Sequence, residues 1–262
     1  MSYNIDRDAK KEPSLTEMSI KALDDLLKAS KNNKKGFFIM IEASRIDHAG
    51  HSNDPVGHLH EILEYNKAML AIRKWIDKHD DSPTTLISTA DHECGGLTVG
   101  EDYNYQPKYF VGAEGTAEAL AAVWKNYKGT DLKNFLVNNV YAKYGISSPT
   151  DDEVSAGLAQ KGKSAFAVTL AAAISKRLGV EWGTGGHTGV DVTLYGWGVN
   201  HQQLAGNHEN TEVADFVARH LKLDLGAISK KLQANKTWVK DHVIPQPGWE
   251  VPTKRESTHT HN

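Results

Sequence analysis

The sequence predicts an α/β fold built on a central, mostly parallel sheet flanked by helices. Two continuous apolar runs of strand length, "GFFIMIE" (36–42) and "TTLISTA" (84–90), are separated by a long amphipathic pattern from Val56 to about Lys78. Uninterrupted apolar runs bounded by polar residues fit strands covered on both faces, and strand, helix, strand reads as a parallel crossover. Both runs end abruptly in acidic residues and histidines. In open α/β sheets that is the edge where ligands collect.

The remaining elements follow in order. Residues 1–12 are polar and read as an arm, after which Ser14 and Glu17 give an S-x-x-E helix start, and a helix runs from Ser14 to about Ala29. In the crossover helix Leu59, Ile62, Leu63, Met69, Leu70 and Ile76 fall near one face. Residues 100–150 read as a peripheral subregion with helical patterns near 116–127 and 131–143. Helices recur at 151–160 and 163–178, a glycine-rich stretch carries His187 in a loop, and "VTLYGWG" (192–198) reads as a strand. A last amphipathic helix spans about 210–221, and 226–262 read as a loose C-terminal extension within one domain covering 1–262.

Composition narrows the function classes. The chain has 262 residues, 39% hydrophobic and 24% charged, with a formal net charge of −3 and scattered basic residues. This supports a folded domain and argues against a nucleic-acid partner, which requires sustained positive potential. One cysteine, Cys94, excludes an intrachain disulfide and any zinc site built on several thiolates, leaving the 13 histidines and the carboxylates as metal ligands. The tail histidines His259 and His261 fit a polar, frayed end. No apolar run approaches the roughly 18 residues of a membrane span, and the charged N-terminus is unlike a secretory signal.

Three motifs carry chemistry. In "EASRIDHAGH" Glu42, Asp47, His48 and His51 lie within ten residues, and one helical turn starting at Asp47 would put its carboxylate and the His51 imidazole on one side of the chain. In "STADHECGG" Asp91 and His92 are neighbours, which extended backbone would point to opposite sides. They can share an ion only if the strand breaks, as Gly95 and Gly96 permit. In "TGGHTGVD" glycines flank His187 and leave room for a ligand. Alone, each motif also reads plainly, as a helix cap, a strand end and a turn. Together they offer donors suited to Zn2+ and a carboxylate suited to Mg2+.

In order and local spacing these three motifs resemble the metal-site motifs of the alkaline phosphatase family, and "SRIDHAGH" and "NHENTE" look most like eukaryotic, fungal members. The resemblance implies that Asp47, His51 and His187 hold one zinc, Asp91 and His92 a second, and Glu42 a magnesium, for two Zn2+ and one Mg2+. His48 would lie beside the metals and phosphate. It further implies hydrolysis of phosphate monoesters through a phosphoserine intermediate, in a homodimer. The family's nucleophile lies in an upstream Asp-Ser-Ala segment, with a phosphate-gripping arginine, a bridging aspartate and a threonine ligand to magnesium. This sequence holds no such segment, and Ser82 in "DDSP" sits in a turn before a proline. The N-terminal part of the fold is therefore expected to be missing, along with any signal or anchor it carries. The isolated chain is expected to be poorly stable, able to bind the first zinc, and nearly without turnover. The competing readings are a phosphodiesterase, sulfatase or mutase of the same superfamily, and a non-catalytic metal-binding remnant or truncated isoform. The Asn-x-Thr triplet at Asn235 matters only on the secretory route.

Overall fold

The computed structural model describes residues 1–33 and 36–234. Lys34, Lys35, the Asn235 triplet, Trp238, Trp249, the last three prolines and the tail histidines His259 and His261 lie outside the described residues. The chain divides into two units, Met1–Gly206 and Asn207–Asn262.

Helix α1 (Leu15–Ser30) begins where the capping pattern places it: Ser14 Oγ accepts from Glu17 N at 3.1 Å, and the Glu17 carboxylate accepts from Ser14 N at 2.8 Å. Short helix α2 (Arg45–His51) is followed by the long α3 (Pro55–Lys78). Their junction is held by Asp54, which caps α3 from a buried position. Its Oδ1 accepts from Val56 N and Gly57 N at 3.0 Å and from the Tyr144 hydroxyl at 2.7 Å, and its Oδ2 accepts from Ala117 N at 2.8 Å. The carboxylate thereby joins the start of α3 to the segment that begins a later helix at Ala117.

Among the described residues, six short strands follow in three antiparallel pairs. β1 (Thr85–Ser88) pairs with β6 (Tyr195–Gly198), β2 (Glu93–Cys94) with β5 (His187–Thr188), and β3 (Leu97–Val99) with β4 (Val180–Trp182). Between β3 and β4 lie α4 (Ala117–Asn126), α5 (Leu132–Leu136), α6 (Asp151–Ala159) and α7 (Ala165–Leu178). Residues from α4, α5, the turns at 137–146 and α7 form the larger core around Trp124, Leu136, Tyr141, Tyr144, Phe166 and Leu170. A second cluster joins Leu23 of α1 to Ile72, Trp75 and Ile76 of α3, with Phe37, Ile39, Leu86 and Trp197 packed against it.

The architecture is the mixed helix and sheet of an α/β fold, and most helices stand where the sequence places them. Several elements differ. The run 36–42 forms no strand and joins no ladder among the described residues. Phe37 and Ile39 cover the second cluster, whereas Phe38 and Met40 alternate onto the open side, 60% and 86% exposed. The run thus keeps a strand's two-residue alternation without a paired neighbour, and the described ladders are antiparallel rather than parallel.

Residues 1–12 are docked rather than free: Tyr3 is buried beneath the Arg45 guanidinium, and the Asp6 carboxylate accepts from Thr116 N at 3.0 Å and Thr116 Oγ1 at 2.7 Å. On α3 the buried stripe is Glu64, Ala68, Ile72, Trp75 and Ile76, while Leu63 and Leu70 face outward. Glu64 is accepted there because its carboxylate takes hydrogen bonds from Thr16 N at 3.1 Å and Thr16 Oγ1 at 2.7 Å. The second unit contains α8 (Asn210–His220), as expected, and a further helix α9 (Leu225–Ala234) where a loose extension is predicted. No helix among the described residues is long and apolar enough to cross a membrane.

Candidate metal centre

Asp47 and His51 stand one turn apart on α2, the geometry expected from their spacing, with His51 Nε2 3.5 Å from Asp47 Oδ2. His187 reaches them from β5: its Nε2 lies 3.3 Å from His51 Nε2 and 3.9 Å from Asp47 Oδ1. Cys94 on β2 faces the same place, since Cys94 and His187 are register partners and its thiol donates to the Asp47 backbone oxygen at 3.4 Å. One donor atom each from Asp47, His51, Cys94 and His187 lies within 4.8 Å of all the others.

The backbone around this group is arranged to bring the segments close. Gly50 lies against Cys94, where an added Cβ would meet the Cys94 oxygen at 3.0 Å. Gly95 and Gly96, at φ +91° and +59°, make the sharp turn after β2, and the Trp182 ring occupies the space where a Gly95 side chain would stand. With its amide nitrogen turned toward α2, Asn53 donates to the Gly50 and Thr184 oxygens at 2.9 Å, fastening the glycine-rich loop onto the α2–α3 turn.

Protonation follows from the partners. His51 Nδ1 stands 2.6 Å from the Gly185 carbonyl oxygen, which can only accept, so Nδ1 is the donor there and Nε2 is the nitrogen turned to the cluster. This is the backing that metal-ligating histidines ordinarily have. Asp47 Oδ1 is buried without a hydrogen-bond partner. Glu93 accepts from Gly96 N at 2.8 Å and from the Thr188 hydroxyl. Desolvation is the largest single influence on Glu93, yet these hydrogen bonds together hold it below its ordinary value. Burial, and then Asp47, push the Cys94 thiol up to about 12, so at neutral pH it keeps its proton.

The other predicted residues divide. The His92 ring stacks on His187 with centroids 3.5 Å apart, bringing the second motif to the cluster's flank. Its Nδ1 lies 3.2 Å from the Glu93 oxygen and its Nε2 3.5 Å from Asp91 Oδ2. Asp91 itself is 88% exposed. His48 is exposed on α2, and Glu42 is not among the gathered donors, lining a small cleft with Arg7, Ser14, Ser44 and Glu61. Cys94 is the donor that sequence reasoning passed over; its adjacency to the Asp-His-Glu run was the available signal.

The donors fit a cation. Tetrahedral zinc with bonds of about 2.0–2.1 Å sets its nitrogen and oxygen ligands about 3.3 Å apart, close to the 3.3, 3.5 and 3.9 Å found here. Residues 1–223 match the family described as alkaline phosphatase. The chain belongs to the alkaline phosphatase family.

Among its relatives, the alkaline phosphatase of Schizosaccharomyces pombe is 36% identical over 242 residues, covering 89% of this chain and 45% of that protein. The repressible alkaline phosphatase of Saccharomyces cerevisiae is 34% identical over 258 residues, with the same coverage of 89% and 45%. The chain thus spans about half the length of these alkaline phosphatases. The crystal structure of a cold-active alkaline phosphatase from a psychrophilic Shewanella superposes with a TM-score of 0.73 at 29% identity, covering 84% of this chain and 53% of that one. The metal dependence that the family suggests has a structural counterpart in the Asp47, His51, Cys94 and His187 cluster.

Proposed function

We propose that this chain carries the metal-binding part of an alkaline phosphatase that hydrolyses phosphate monoesters. The observation that carries this reading is the convergence of Asp47 and His51 from α2 with His187 from β5 onto one set of donors. Asp47, His51 and His187 would hold one Zn2+, Asp91 and His92 a second, and Glu42 would belong to a Mg2+ site. When bound, paired cations stabilise the charge that develops on the attacking and leaving oxygens of phosphoryl transfer.

The chain's own residues orient that centre. The Gly185 carbonyl engages His51 Nδ1, which turns Nε2 toward Asp47 and His187. The Glu93 carboxylate, bridging Gly96 and Thr188, fixes β2 against β5 and so fixes His187 opposite α2. Exposed His48 is suited to meet the phosphate from the α2 side. The whole enzyme would act as a homodimer on small phosphate monoesters, with no nucleic-acid partner.

A second reading is a metal-binding form without turnover. Zinc titration of the purified chain, paired with a p-nitrophenyl phosphate assay, tests both. Zinc binding that His187→Ala abolishes is the expected result, with little turnover by the chain alone. Zinc binding unaffected by His187→Ala overturns the site. Robust turnover overturns the second reading and assigns the nucleophile to a serine of this chain.

A further inference from the structure

Cys94 has no role in the reading above, yet its sulfur belongs to the same group of donor atoms as Asp47, His51 and His187. Its placement is built by three elements. Pairing with His187 across β2 and β5 puts both side chains on one face, because register partners in an antiparallel ladder project together. Gly50 on α2 leaves the space: a Cβ there would stand 3.1 Å from Cys94 Sγ. A second observation points to a ligand at this spot. Buried carboxylate oxygens are ordinarily hydrogen-bonded, but Asp47 Oδ1 is buried without a partner and lies 3.9 Å from His187 Nε2.

We propose that Cys94 is a fourth protein ligand of the cation held by Asp47, His51 and His187, giving an Asp-His-His-Cys centre selective for thiophilic divalent ions such as Zn2+ and Cd2+ over Mg2+. The proposal rests on the metal-binding reading of this cluster. On binding, the S–H bond breaks, a sulfur–metal bond forms, and the proton leaves to solvent. Carboxylate and thiolate together then neutralise the divalent charge. Soft sulfur discriminates against Mg2+, which prefers an all-oxygen shell. Three nitrogen and oxygen donors alone would discriminate less.

Cobalt substitution of the purified chain reads the ligand directly. With Co2+ the unaltered protein should show the visible bands of tetrahedral cobalt and a near-ultraviolet sulfur-to-cobalt charge-transfer band. Cys94→Ser should keep the visible bands, lose the charge-transfer band, and bind Co2+ more than about tenfold less tightly. Visible bands without the charge-transfer band, or a band that survives in Cys94→Ser, would overturn the proposal while leaving a three-ligand site standing. Absence of any cobalt bands in the unaltered chain would overturn both the cluster as a metal centre and the cysteine's part in it. If the serine variant does not fold, the 113Cd resonance of the cadmium-loaded unaltered chain decides: a strong high-frequency displacement marks sulfur ligation, and a shift typical of nitrogen and oxygen ligands rules it out.

Discussion

His51 Nδ1 lies 2.6 Å from the Gly185 carbonyl oxygen, so a loop 134 residues away in sequence decides which nitrogen of His51 can take a metal. Replacing His51 by Ala should remove a donor already in its coordinating tautomer. Zinc affinity should fall by at least about 100-fold, beyond the 10–100-fold typical of losing an outer-shell partner. Zinc at about 100 times its dissociation constant should add about 2.7 kcal/mol to the parent protein, and a thermal melt with and without chelator should show that stabilisation in the parent alone.

Gly95 should tolerate no side chain. Its φ of +91° is left-handed, and a Cβ would stand 2.6 Å from Cε3 of Trp182. Gly95→Ala should destabilise the chain by about 1–3 kcal/mol through overpacking and backbone strain. Because the displaced turn carries Cys94 and faces His187, zinc affinity measured by titration should fall along with the urea midpoint.

How far the sequence alone reaches can be judged at this turn. That Asp47 and His51 share one side of α2 is a consequence of helical period and is readable from four-residue spacing. So are the Ser14 and Glu17 cap and the extent of α3, because these are local in the chain. The pairing of Cys94 with His187 is not readable in this way: two-residue strands have no periodicity, and their register is set by contacts between distant segments. The docking of residues 1–12 is not readable for a related reason, since the Asp6 carboxylate is satisfied by Thr116 and the Asn4 backbone amide by Glu61, far along the sequence. The run 36–42 has the composition of a covered strand and the alternation of one, but a partner strand is a tertiary fact.

That run supplies a prediction about solution behaviour. Phe38 and Met40 are exposed apolar side chains on a run that joins no ladder among the described residues, a combination that favours association between chains. Replacing both by Lys should lower the weight-average mass in static light scattering and raise the soluble fraction, while leaving zinc affinity within about twofold, since surface changes remote from a site cost little. An unchanged scattering mass would locate the association elsewhere.

Acid should weaken one well-covered ion pair. The Arg177 guanidinium grips both oxygens of Glu153, Nη1 to Oε1 at 2.5 Å and Nη2 to Oε2 at 2.6 Å, with both side chains about four-fifths covered. The Arg177 hydrogen bonds are the main reason the Glu153 carboxyl lies below its ordinary value of 4.5. A lowered folded-state pKa means the native state binds fewer protons than the unfolded state around that value. The pair's contribution is therefore fully present above pH 4.5 and is lost as pH falls through the lowered value. Glu153→Gln keeps an acceptor for Thr150 N at the start of α6 but removes the charge. The substitution should cost about 1–2 kcal/mol at neutral pH. In urea titrations repeated at progressively lower pH, the gap between parent and variant should narrow and then close; a gap that stays constant into acid would show that packing, not the ion pair, sets the cost.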